Sequence, residues 1–205
     1  MSRAPGSGAP VAAALAAAVV RKSRESAETG AAFFAAEAER IVACCRAMAA
    51  AFDGGGRLFV MGNGGSACDA QHIAVEFMHP IIEKRPALPA VALSIDAALL
   101  SAVGNDQDFA LAFAGQLRLL ARPGDVALGI STSGRSANVT RALAAARELG
   151  LLTVGFTGRD GGRMGVDADI HVNVAETSTP RIQEVHRTIM HAMCSLIDRH
   201  VGTQG

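Results

Sequence analysis

Residues 58–66 read Leu58-Phe-Val-Met-Gly62-Asn-Gly-Gly-Ser66, and a helical stretch follows from about Ala67 to Met78. Four apolar residues between glycines suit a short strand buried on both faces. The glycines after it allow a tight turn into the helix and let a ligand approach the backbone closely. The same order returns at Val126-Ala-Leu-Gly-Ile130, followed by Ser131-Thr-Ser-Gly-Arg-Ser136 and a helix to about Leu149. Apolar runs at Val91–Ser94, Leu152–Phe156 and Ile170–Val174 bring the strand candidates to five, and a helix from about Arg181 to Val201 ends the chain. Strands alternating with helices predict an α/β fold, a parallel sheet covered on both faces by helices. Such sheets bind ligands at the carboxyl ends of their strands. The two loops, 62–66 and 131–136, are therefore where chemistry is expected.

Upstream, residues 1–9 are small, polar and rich in Pro and Gly, and read as a disordered tail. Residues 11–52 are Ala-rich with no internal proline, which predicts two helices or one interrupted near Gly30. Asp53-Gly-Gly-Gly56 closes that segment. Residues 10–205 thus form one domain that includes the N-terminal helices.

The chain has 205 residues, of which 50% are hydrophobic and 19% charged. A globular chain of this size buries roughly 70% of its unfolded surface and folds without disulfides or a structural metal. Nineteen Lys and Arg balance nineteen Asp and Glu. That zero net charge disfavours a protein that coats nucleic acid or anionic membrane. With no Trp or Tyr, an aromatic platform for stacking bases is not expected either. No apolar run is long enough to span a bilayer. The four cysteines, Cys44, Cys45, Cys68 and Cys194, form no CxxC pair. They fit a reduced, cytoplasmic setting. Cys68 and Cys194 lie in apolar helical patterns and read as buried thiols.

The 131–136 loop offers hydroxyls, a flexible glycine and backbone N–H groups at a helix N-terminus, which are the ingredients of an anion site. No lysine of the nucleotide-binding P-loop type follows, so a compact sugar phosphate suits it better than a nucleoside triphosphate. The plain alternative is an ordinary turn whose serine caps the helix. In the first loop, Asn63 has an amide suited to sugar hydroxyls, and Ser66 could cap the helix or touch phosphate. His72 and Glu76 are four apart on the following helix and share a face. They suit zinc or another divalent transition metal, or else form a surface hydrogen-bonded pair. On the last helix Gln183 and His191 would stand on the order of 12 Å apart. For both to serve one ion, Gln183 must precede the regular helix or the ligands must come from different subunits. His186 is turned about 140° from His191, so only one of the two is expected at the site. His79, His171 and His200 have no motif around them and read as structural or exposed. Asn105 and Asp106 follow an apolar helix and are placed to cap the next one.

Taken together, Gly62-Asn-Gly-Gly-Ser66, Asp69-Ala-Gln-His72 with Glu76, Ser131-Thr-Ser-Gly with Ser136, Thr157-Gly with Asp160-Gly-Gly162, and Arg181-Ile-Gln-Glu-Val-His186 with His191 resemble the phosphoheptose isomerases. These belong to the sugar isomerase (SIS) domain superfamily. The resemblance runs from about residue 30 to 200. It implies an αβα sandwich on a five-stranded parallel sheet, an added N-terminal helical segment, and a homotetramer with active sites between subunits. It implies one zinc per subunit held by His72, Glu76, Gln183 and His191. It places the sugar phosphate against Asn63, Gly64, Gly65, Ser66, Asn105, Asp106, Ser131, Thr132, Ser133, Ser136 and Gln183. The implied reaction converts sedoheptulose 7-phosphate to D-glycero-D-manno-heptose 7-phosphate, a step of heptose biosynthesis, through a metal-stabilised enediolate. Glu76 is then the candidate base and His191 the candidate acid, with Glu76 either shifting off the metal during turnover or serving as ligand and base at different steps. The chain departs from the pattern at Ala67, at Phe77-Met-His-Pro80 and at Pro180, and none of these is a metal position. Three alternatives share the fold: an isomerase of another sugar phosphate, a ligand-sensing module of a regulator, and a non-catalytic adaptor that binds a replication initiator. The adaptor lacks an acid and a histidine at the positions of Glu76 and His191, and this chain has both.

Overall fold

The structure is a computed structural model that describes residues 8–80 and 85–202. Strands β1 (Leu58–Gly62), β2 (Ala90–Ala92), β3 (Val126–Ser131), β4 (Leu152–Gly158) and β5 (Ile170–Val174) form one sheet in the order β2-β1-β3-β4-β5. Every neighbouring pair is parallel. The helices are α1 (Gly8–Asp53), α2 (Gly65–Met78), α3 (Ala97–Asp106), α4 (Ala112–Leu120), α5 (Ala137–Glu148), α6 (Met164–Asp167) and α7 (Thr179–Gly202). A single 3-10 turn, Phe109–Leu111, precedes α4.

Successive residues of a strand point to opposite faces, and here both faces are apolar. Leu58 and Val60 join Cys44, Met48, Ile73, Phe77, Ile189 and Met193 in a core beneath α1, α2 and α7. Phe59 and Met61 join Phe113, Leu117, Val139 and Leu143 in a second core beneath α4 and α5. Burying one such side chain contributes roughly 1.5–3 kcal/mol. A one-residue slip would exchange the two sets, so register is strongly specified. The expected αβα sandwich is what forms.

The chain leaves β1 toward β2 on one side and returns to β3 on the other. The sheet therefore reverses its winding between β1 and β3, where a crevice opens at the carboxyl ends. Gly62 ends β1 opposite Ile130 of β3, so the two loops flank that crevice.

Three expectations need correction. The N-terminal segment is neither two helices nor one interrupted: α1 runs unbroken for 46 residues, roughly 69 Å at 1.5 Å per residue. Gly30 meets nothing within 4 Å where a Cβ would stand. It carries only the intrinsic cost of helical glycine, about 1 kcal/mol. The C-terminal half of α1 is buried through Phe33, Ile41, Cys45 and Phe52. Farther back, Lys22 and Ser26 both bond Glu184 of α7, and Glu25 pairs with Arg181. Second, Gly8 and Ala9 belong to α1 rather than to a tail, while residues 1–7 lie outside the described set. Third, Cys68 is exposed rather than buried. No described helix is long and apolar enough to cross a membrane.

Candidate active site

α2 and α7 pack side by side, and a stripe of polar side chains runs along their seam. Asp69, His72 and Glu76 recur at intervals of three and four on α2, and Gln183, Arg187 and His191 at intervals of four on α7. Those spacings keep each set on one helix face. His72 Nε2 lies 3.2 Å from Glu76 Oε1. The rings of His72 and His191 stand edge to face with centroids 5.0 Å apart. One donor atom from each of His72, Glu76 and His191 lies within 4.8 Å of the other two. Two imidazole nitrogens and a carboxylate oxygen are a donor set for zinc or a similar divalent ion. Three ligands at that separation can converge on one ion with little movement. The donors fit such a group.

Gln183 does not precede the regular helix, since α7 starts at Thr179. It sits two turns before His191 with its amide over the first loop. A Cβ on Gly65 would lie 2.3 Å from Gln183 Nε2, so the missing side chain at 65 makes room for that amide.

Neither helix that starts at the crevice is capped by a side chain. The N-cap positions of α2 and α5, Gly64 and Ser136, make no such bond. By contrast Asp96 caps α3 and Asp108 caps the 3-10 turn. The capped-turn alternative for Ser136 is therefore not what forms. Its hydroxyl meets Ser131 Oγ at 2.9 Å, and Ser133 Oγ accepts from the Arg135 N–H at 3.2 Å. Uncapped first-turn N–H groups beside clustered hydroxyls are well suited to an anion. Gly134 (φ 63) packs so closely on Gly161 and Gly162 that a Cβ there would stand 2.0 Å from the Gly161 carbonyl. The Asp160-Gly-Gly162 turn thus braces the loop, and Asp160 pairs with Arg135 on its exposed rim at 2.5 Å.

Asn63 and Asn138 exchange amide hydrogen bonds of 2.9 and 2.8 Å. The amide expected to reach sugar hydroxyls therefore ties the first loop to the start of α5. Asn138, which is buried, was not visible as a site residue. Its one sequence signal is a polar amide two residues after Ser136, at the start of the helix. Ser66 is buried in the first turn of α2, Gly64 and Gly65 are exposed, and Thr132 and Ser133 are partly exposed. Asn105 and Asp106 are the exposed last residues of α3 and bond to each other at 2.6 Å. They do not cap the next element, which Asp108 does.

The remaining histidines separate cleanly. His186 is fully buried and donates from Nε2 to the Thr157 carbonyl at 2.9 Å. Burial pulls its pKa down to about 4, so it is a neutral packing residue and not a partner of His191. His171 bonds Thr157 Oγ1 at 2.6 Å and is likewise structural, its pKa lowered by burial. His79 is exposed, and the side chain of His200 lies outside the described residues. Burial pushes the thiols of Cys44, Cys45 and Cys194 up to about 12, which removes them as nucleophiles.

A profile of the SIS domain matches residues 23–158. The chain is 46% identical over 183 residues to the phosphoheptose isomerase of Desulfovibrio desulfuricans, covering 89% of this chain and 87% of that one. Among solved structures, the phosphoheptose isomerase of Neisseria gonorrhoeae superposes with a TM-score of 0.85 at 40% identity, over 90% of this chain and 99% of that one. That of Francisella tularensis gives 0.85 at 33% identity, over 88% and 96%. The chain belongs to the phosphoheptose isomerase family of SIS-domain proteins, enzymes that isomerise sugar phosphates.

Proposed function

We propose that the chain converts sedoheptulose 7-phosphate to D-glycero-D-manno-heptose 7-phosphate by proton transfer between the first two carbons of the sugar. The observation that carries this reading is the convergence of His72, Glu76 and His191 within 4.8 Å, on the seam of α2 and α7. The uncapped start of α5 suits a phosphate, and the cluster suits the reacting carbons.

In this reading His72, Glu76 and His191 hold zinc, and Gln183, two turns before His191 on the same helix, completes the donor set of an ion shared between subunits. When bound, the ion supplies Lewis-acid polarisation of the substrate carbonyl and stabilises negative charge on the sugar oxygens. The protein's own groups do the rest. Ser131, Thr132, Ser133, Ser136 and the first N–H groups of α5 bind the phosphate, far from the reacting carbons, and so orient them. Gly64 and Gly65 let the sugar lie close to the backbone. Ser66, fixed in the first turn of α2, adds a hydroxyl there, and Asn105 and Asp106 close the rim from α3. Glu76 removes the proton from the carbon beside the carbonyl and returns it to the neighbouring carbon. His191 holds or delivers the proton at the sugar oxygen. Four free cysteines fit the reducing environment of the cytoplasm.

We also read the molecule as a homotetramer with sites between subunits. His191 is exposed in the isolated chain. Val11, Leu15, Val19 and Val20 on the projecting part of α1 are 58–70% exposed, an apolar stretch suited to burial against another copy. The test is turnover with sedoheptulose 7-phosphate set against a six-carbon ketose phosphate. The account expects at least about a tenfold preference in kcat/KM for the heptose, or about 1.4 kcal/mol. Equal or reversed preference would assign the site to another sugar phosphate.

A further inference from the structure

Arg85 looks from sequence like an ordinary surface charge beside Pro86, yet its side chain is 0% exposed. A buried guanidinium must be paired and hydrogen-bonded to be tolerated. Its Nε–H donates to Asp198 of α7. Nη1 donates to the carbonyls of Phe77 at 2.9 Å and Pro86 at 3.0 Å, and Nη2 to the carbonyl of Glu76 at 3.3 Å. Its flat face stands 5.8 Å from the centre of the Phe77 ring. The cation thus occupies the C-terminal end of α2, where the last carbonyls lack helical partners and the helix dipole is negative. One of those carbonyls belongs to Glu76 itself.

Asp198 lies seven residues beyond His191, within about 20° of two full turns, so the two share a face of α7. Arg85 therefore joins the backbone of the residue assigned as base to the helix that carries the residue assigned as acid. Beyond the cluster, Arg187 of α7 pairs with Asp69 of α2 at 2.9 Å. The cluster of His72, Glu76 and His191 is bracketed by two ion pairs: Asp69–Arg187 joins α2 to α7 directly, and Arg85–Asp198 joins α7 to the segment after α2, whose Arg85 holds the last carbonyls of α2.

We infer that Arg85, with Asp198, is a positioning residue for the isomerisation: it sets the depth and rotation of Glu76 on α2 against His191 on α7. The inference rests on the roles proposed above for those two residues. A misplacement of about 1 Å at reacting groups can cost on the order of 100-fold in rate, and a paired guanidinium fork resists such a shift better than apolar packing does.

Removing Arg85 alone would leave Asp198 buried without a counter-charge, so the chain could simply fail to fold. The informative variant replaces both partners, Arg85→Met with Asp198→Leu, since apolar substitution of a buried pair often preserves stability. Expected are a cooperative fold with a lowered Tm, since the carbonyls of Phe77, Pro86 and Glu76 lose their donor, kcat per folded molecule down about 10- to 100-fold with KM for the sugar phosphate within about threefold, and zinc affinity in competition with a chromogenic chelator down about tenfold. Arg85→Lys retains charge without the fork and should fall between the two in both readouts. It serves alone if the double variant does not fold. Parental kcat and zinc affinity in the folded double variant, or in Arg85→Lys if that is the one that folds, would overturn the inference. Glu76→Gln is measured alongside. If it retains full turnover, the proposed roles themselves fail. If it is inactive while the Arg85 variants are not, only the positioning inference fails.

Discussion

Arg187 donates to one carboxylate oxygen of Asp69 at 2.9 Å, joining α7 to α2 across 118 residues of sequence. The partners are unequal: the Asp69 side chain is 1% exposed and that of Arg187 is 56% exposed. The second oxygen of Asp69 is buried without a partner, as is Nδ1 of His186. A buried carboxylate held by one solvent-facing cation sits three residues before His72, and the cation four before His191.

Arg187→Ala should consequently lower stability by about 2 kcal/mol, because the buried charge of Asp69 loses its partner. Asp69→Asn should cost less, since the amide carries no charge to strand. In a double-mutant cycle read by urea unfolding, the coupling should be on the order of 1 kcal/mol. Additive single effects would mean that the pair adds nothing beyond its separate contacts.

His186 predicts a specific pH dependence. Burial lowers its folded pKa to about 4 from the ordinary 6.5, with Asp69 and its accepting Thr157 carbonyl opposing that shift. The unfolded chain therefore binds a proton between pH 6.5 and 4 that the folded one does not. Stability from this group is complete above pH 6.5 and declines as the pH falls toward 4, by on the order of 3 kcal/mol. His186→Gln retains an N–H for the Thr157 carbonyl but cannot titrate. Its stability curve, measured by denaturant at each pH, should be flatter through that window. An unchanged slope would assign the loss to other groups, such as Glu176 and Glu184, whose pKa values are lowered by hydrogen bonds.

Gly65→Ala offers a way to move Gln183 without altering it. The new methyl would meet the amide at 2.3 Å, and the atom it meets is the far end of a flexible side chain. The fold should tolerate it within about 1 kcal/mol. KM for the sugar phosphate should rise about tenfold, and Gln183→Ala should behave alike. If Gly65→Ala is kinetically silent while Gln183→Ala is not, the contact between them has no functional weight.

Much of the fold was legible because it rests on local pattern. Short apolar runs bounded by glycine, such as Leu58–Met61, suit strands buried on both faces, and the glycine and serine loops that follow mark helix starts. That His72 and Glu76 share one helix face was legible from their spacing, which left a metal pair and a surface hydrogen-bonded pair both open. What sequence spacing could not show are the pairs that close over long loops: Asn63 with Asn138, Asp69 with Arg187, Arg85 with Asp198. Each partner looks like a common surface residue until topology brings it to its mate. The continuity of α1 escaped for a related reason. Local propensity marks Gly30 as a break, and the contacts of Lys22, Glu25 and Ser26 with α7 override it. Cys68 was misread because an apolar neighbourhood in sequence does not fix which way a residue faces at the first turns of a helix.

The most direct test of the central claim is a zinc titration of the chelator-treated enzyme while aldose phosphate formation is followed. The account predicts no turnover without metal and a plateau at about one zinc per chain. His72→Ala, Glu76→Gln and His191→Ala should each fold, yet lose turnover by at least about 100-fold at saturating zinc. Full turnover by the metal-free enzyme, or parental activity in any of the three variants, would contradict it.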